Sequence, residues 1–137
     1  MQFEYMKRED IERSYMMRRC MLENAASYIG DQYKDLENVK VHVQITFRSA
    51  VLPSPSTTQY CRTLDPSNKL YLYYECNNPD CTGYGFDLTD VLRDALNSRQ
   101  CVEGRMSCSG KEDWKYIDSA GCRCDTVLEY RIEPEFE

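Results

Sequence analysis

A chain of 137 residues with a formal charge of −6, eight cysteines and one histidine is long enough to bury a core of its own, so a metal need not be its only source of stability. No apolar run reaches membrane-spanning length, and none of signal-peptide length follows the N-terminus, which sets the expectation of a soluble cytoplasmic protein. All the excess negative charge lies in residues 49–137, with nine Lys/Arg against fifteen Asp/Glu, while residues 1–48 balance eight against eight; an acidic surface repels phosphates and disfavours generic nucleic-acid binding.

Residues 2–6 read as a short strand or an irregular lead-in. Asp10 is then placed to cap a helix running to about Ile29. Ile11, Tyr15, Leu22, Ala26 and Ile29 fall on one helical face, and Met17, Met21, Ala25 and Tyr28 form a second stripe beside it. Arg13, Arg19, Glu12, Glu23, Asn24 and Cys20 fall opposite. The broad arc predicts a helix laid on a sheet, with the second stripe touching a loop; the alternative is a partner surface, because methionine adapts to varied contacts. Gly30 weakens helix continuation, so residues 30–36 read as a further turn or a short helix.

Val39, Val41, Val43, Ile45 and Phe47 alternate with Lys40, His42, Gln44, Thr46 and Arg48, the pattern of a half-buried strand. His42 falls on its polar side and reads as solvent-facing. Residues 49–68, with Pro53, Pro55, Pro66 and a Ser/Thr run, predict a loop; Cys61 within it reads as a free thiol. Lys69–Glu75 predicts a second strand, with Leu70, Leu72, Tyr74 and Cys76 on one face and Tyr71 and Tyr73 on the other. Asp87 and Asp90 suggest a capped helix start, and Leu88, Val91, Leu92, Ala95 and Leu96 supply one apolar helix face. Residues 101–108 read as a strand with Val102, Gly104 and Met106 on one side. Residues 109–121 read as a polar loop carrying Trp114 and Tyr116. The last strand runs from Arg123 to Ile132, with Leu128, Tyr130 and Ile132 in step with Cys124. The order predicts an α+β chain of one domain, an N-terminal amphipathic helix packed on an antiparallel sheet. Its parts are a helix and strand over 1–48, a loop over 49–68 and a cysteine-bearing module over 69–137.

The cysteines carry the chemistry. Cys76 and Cys81 flank the loop Asn77-Asn78-Pro79-Asp80 at C-x4-C spacing, and Cys108, Cys122 and Cys124 return further on. In a reducing compartment, clustered thiols point to metal ligands rather than disulfides. Four thiolates make a tetrahedral zinc site, here Cys76, Cys81, Cys108 and Cys124, with Cys122 an alternative of the same strand parity. These residues resemble the zinc-ribbon group of folds over about residues 70–132. Cys76 and Cys81 match the first knuckle, and Cys108 and Cys124 match the second pair. The sequence departs from that pattern by a helix inside the loop, by twenty-six residues between Cys81 and Cys108, and by a split second knuckle. The resemblance implies a structural or interaction module.

The expected function is therefore a zinc-binding protein with a structural site and no catalytic residues, serving a protein partner. Trp114 and Tyr116 are the candidate contact, unless Trp114 folds back on the knuckle as a core plug. No G-x-S-x-G, P-loop or H-E-x-x-H motif is present. The alternatives are a nucleic-acid accessory role, which Arg13, Arg18 and Arg19 favour and the net charge opposes, and a thiol redox role for Cys122-Arg123-Cys124.

Overall fold

The alternation over residues 39–47 produces the central strand of the molecule. In the computed structural model, which describes residues 8–47, 56–78, 81, 85–108 and 126–137, strand β1 spans Leu36–Phe47. Val39, Val41, Val43, Ile45 and Phe47 are all buried. Strand β2 (Ser56–Leu64) pairs antiparallel on one edge of β1 and β6 (Val127–Phe136) on the other; β5 (Val102–Ser107) closes the sheet against β6. The strand order is β2-β1-β6-β5. Register sets Val41 opposite Ile132 and Ile45 opposite Leu128, so one apolar face runs across the two central strands. A second sheet of two short strands pairs β3 (Tyr73–Tyr74) with β4 (Phe86–Asp87).

The chain is thus α+β, with three helices among the described residues: α1 (Arg8–Ala25), α2 (Ile29–Gln32) and α3 (Thr89–Ser98). The apolar face foreseen for α3 is the buried one, with Leu88, Leu92, Ala95 and Leu96 in the core and Val91 packed beside it. The start of α3 differs from the expected capping box. Asp87 accepts the Thr89 N–H at 2.9 Å, whereas Asp90 turns to Arg93 at 3.4 Å. Its end carries Arg99 at φ 60°, a left-handed position that favours glycine. Arg99 is held there by Asp35 at 2.7 Å and by stacking 4.0 Å from the Phe136 ring centroid.

Three expectations need correcting. Residues 56–64, placed in a loop, form β2. This is an edge strand whose side chains are mostly exposed on both faces, so no hydrophobic alternation announces it; Ser/Thr hydrogen bonding to β1 does the work instead, as between Thr46 and Thr57 at 3.1 Å. The expected strand 69–75 keeps its face assignment, with Leu70 and Leu72 buried, but only Tyr73–Tyr74 joins a ladder. Helix α1 already includes Arg8 and ends at Ala25, so Asp10 lies in its first turn and is not its cap. Lys69 terminates α1: its ammonium donates to the carbonyls of Ala26 at 2.9 Å and Asn24 at 3.3 Å, a cation where the helix dipole is negative.

Helix α1 turns inward the stripe that the periodicity selects, with Ile11 buried and Tyr15 half-buried. It packs on antiparallel structure, but on the small β3–β4 sheet. Tyr15, Arg19 and Leu22 line a cleft with Tyr71, Tyr73 and Asp87. Arg19, assigned to the polar side, turns inward; its guanidinium donates to the Tyr73 hydroxyl at 2.9 Å and stacks 4.5 Å from the ring centroid. Among the described residues the second stripe meets the segment before β3 only at its end, where Tyr28 bridges to Lys69 and lies 5.2 Å from its ammonium, while Met17 is 60% and Met21 70% exposed.

These burials predict opposite responses on two helices. Leu92→Ala should lower the unfolding free energy by about 2–5 kcal/mol through the cavity it leaves. Met21→Ala should change it by less than about 0.5 kcal/mol. Urea unfolding of both variants measures this, and equal losses would show that α1 is covered as deeply as α3.

Candidate metal centre

Each sulfur of the site is placed by a different local device. Cys76 follows β3 by two residues. The loop after it is tied to the main sheet by Asn77, whose amide donates to the Ile45 carbonyl at 3.1 Å and to Thr58 Oγ1 at 3.2 Å. The Cys81 N–H then donates to the Asn78 carbonyl at 3.1 Å, a three-residue return that brings Cys81 back toward Cys76. Cys108 arrives from another direction. It directly follows β5, and its N–H donates to the Thr126 carbonyl at 2.9 Å, continuing the β5–β6 ladder by one step.

Gly85 makes the close approach behind the first loop feasible. Its φ is +73°, a conformation that L side chains rarely adopt. A Cβ built on it would lie within 2.8 Å of the Tyr74 carbonyl and overlap the Tyr73 hydroxyl and ring. The Tyr73 ring therefore lies directly on the Gly85 backbone, with the Arg19 guanidinium on the ring. Burial pushes the Tyr73 phenol well above its usual range; Arg19 opposes that shift, and Glu75, Tyr71 and Cys108 add to it.

The result is a cluster in which the sulfurs of Cys76, Cys81 and Cys108 all lie within 4.8 Å of one another. Cys81 and Cys108 are buried and Cys76 is half-buried. The Cys81–Cys108 separation is 3.6 Å. A bonded sulfur pair would be about 2.05 Å apart, whereas two thiolates about 2.3 Å from one tetrahedral zinc stand roughly 3.8 Å apart. The donor set and its spacing therefore fit a thiophilic metal ion. Buried thiolates so close together cannot all carry charge without a cation between them.

Of the residues singled out in the sequence, Cys76, Cys81 and Cys108 come together. Cys122, Cys124, Trp114, Tyr116 and Asp80 lie outside the described residues. Cys20, Cys61 and Cys101 are exposed and stand apart from the cluster. His42 is on the polar face of β1, paired across the strands with Cys61, not with the cluster. Sequence reasoning missed the two residues that shape the site from behind, Tyr73 and Arg19. The sequence carried no hint of either role: Tyr73 reads as an ordinary strand residue, and the helical position of Arg19 is polar. No model of a known family, no curated protein and no solved structure matches the chain.

The Tyr73–Gly85 contact gives a direct test. Gly85→Ala should destabilise the fold by at least about 2 kcal/mol, combining left-handed strain of about 1–2 kcal/mol with displacement of the Tyr73 ring. Thermal unfolding of wild type and variant measures it, and an unchanged midpoint would mean that the ring and loop shift freely.

Proposed function

We propose that this chain is a small zinc-binding protein with a closed, structural site of four cysteine thiolates, acting as a non-catalytic module that binds a protein partner. The observation that carries the reading is the convergence of three cysteine sulfurs within 4.8 Å of one another, two of them buried and 3.6 Å apart. Zinc suits this donor set because thiolates hold it well and it has no redox chemistry of its own. Cys124 is the fourth ligand in this reading. It stands two residues before Thr126, whose carbonyl receives the Cys108 N–H, whereas Cys122 stands four before. At about 3.3 Å per extended residue, Cys124 has the shorter reach to the cluster.

Four thiolates leave no position for water, so the metal fixes the loops and activates nothing. The partner is a protein in this reading. Chain charge argues against phosphate, and Arg19 is engaged with Tyr73, which breaks up the Arg13, Arg18 and Arg19 cluster. Trp114 and Tyr116 remain the proposed contact residues.

Metal analysis of purified protein should give one zinc per chain. Cys124→Ser should lower zinc affinity by at least about tenfold more than Cys122→Ser, since a missing thiolate opens the site. The reverse order would move the ligand by two residues; zinc content unchanged in Cys81→Ser would remove the site altogether. Replacing zinc with cadmium should preserve partner capture. A hydrolytic activity that appears with zinc, vanishes with cadmium and returns with zinc would overturn the non-catalytic reading.

A further inference from the structure

The face of the main sheet turned away from the core carries a second cysteine arrangement, independent of the metal centre. Cys61 on β2, His42 on β1, Arg131 on β6 and Glu103 on β5 are consecutive cross-strand neighbours, so one row spans all four strands. Cys61 Sγ lies 3.6 Å from His42 Nδ1. His42 Nε2 lies 3.9 Å from Glu133 Oε2, and Glu133 Oε1 is gripped by Arg131 Nε at 2.5 Å. Cys61, His42 and Glu133 therefore form a series of thiol, imidazole and carboxylate, with the carboxylate fixed by the Arg131 guanidinium. The row of Cys61, His42, Arg131 and Glu103 lines a shallow depression of about 840 Å³, and Cys61 is exposed there. Gln44 and Gln59 border it, joined to each other at 3.2 Å.

We propose that Cys61 is a thiol-exchange site that takes up one half of a low-molecular-weight disulfide, with His42 as its base. The Cys61 proton passes to His42 Nδ1, and the imidazolium is balanced by Glu133. The thiolate attacks the nearer sulfur of the small disulfide. A new S–S bond forms to Cys61 Sγ as the old S–S bond breaks, and its electron pair leaves on the departing sulfur. That sulfur takes the proton back from His42 and departs as a thiol. Cys61 is oxidised to the mixed disulfide, and the departing half of the reagent is reduced. The event is a stoichiometric modification, reversed when a second thiol attacks.

The surroundings select this class of electrophile. Acyl transfer needs preorganised N–H donors for an oxyanion. Strands β1 and β6 are each paired on both sides, so their main-chain N–H groups are committed to the ladders, and the free N–H groups of the edge strand β2 point outward in the plane of the sheet, away from His42. Exchange at sulfur develops charge only along the S–S–S line. The imidazolium sits beside one end of that line, and the open face admits the other. Cys20 serves as the internal control: it is exposed like Cys61, but the single histidine of the chain lies beside Cys61.

The experiment treats the metal-loaded, full-length protein with glutathione disulfide or with cystamine, quenches with acid and locates the mixed disulfides by peptide mass spectrometry. Cys61 should react at least about tenfold faster than Cys20 with both reagents, because the base acts regardless of reagent charge. His42→Gln, a polar replacement matching Gln44 on the same face, should bring Cys61 to within about twofold of Cys20. Glu133→Gln should produce a smaller loss. Equal wild-type rates at Cys61 and Cys20 would overturn the proposal. So would an undiminished Cys61 rate in His42→Gln, or a preference that reverses between the anionic and the cationic reagent.

Discussion

Burial of sulfur governs how the rest of this molecule is arranged. Cys81 and Cys108 belong to the same apolar cluster as Leu72, Phe86, Leu92 and Leu128. A thiolate in such surroundings is strongly disfavoured unless a cation lies against it. The elements around the cluster meet that demand by bringing three sulfurs together from two separate stretches of chain. The Asn78 return turns Cys81 back, the β3–β4 pair holds the base of that loop, and the β5–β6 ladder delivers Cys108. Because the sulfurs are part of the core and not an appendage to it, a metal bound there would be energetically coupled to core packing.

The same coupling explains why Gly85 and Tyr73 matter although neither is a ligand. The loop returns to β4 through a left-handed residue, and the space beside that residue is filled by the Tyr73 ring. Arg19 from α1 then covers the ring. A helix distant in sequence thus reaches the back of the cysteine cluster, with a cation–π contact and a hydrogen bond among its ties.

Where burial is decided by one partner surface, the fold was legible in the sequence. The β1 alternation, the α3 face and the inward residues Leu128 and Ile132 follow from period alone, because a buried sheet face and a buried helix face must each be apolar. Legibility fails where polar contacts do the holding. Strand β2 is stabilised by ladder bonds and hydroxyl pairs with almost no buried side chain, so its composition resembles a loop. On α1 the period selects the inward stripe of Ile11 and Tyr15, but it cannot show that Arg19 joins that side to lie on Tyr73, because the residue is charged. For the metal centre, residue type and spacing picked out Cys76, Cys81 and Cys108 as a group. Their distances depend on turns and register that no spacing rule encodes.

The described cysteines sort by environment into two chemistries. Cys76, Cys81 and Cys108 are drawn into or against the core, close enough together that their sulfurs could hold a metal ion. Cys20, Cys61 and Cys101 remain at the surface, where sulfur acts as a nucleophile whose strength is set by its neighbours. Among those three, the antiparallel register of β1 and β2 singles out one. It sets Cys61 directly opposite His42, and the register of β1 with β6 brings Glu133 to the far ring nitrogen. A shift of one residue in either pairing would send the partner side chain to the opposite face and dissolve the row. The packing that fixes this register is the apolar face of β1, Val39 to Phe47, on the other side of the same strand. The outer-face arrangement is therefore held in place by the core, although none of its own contacts is buried.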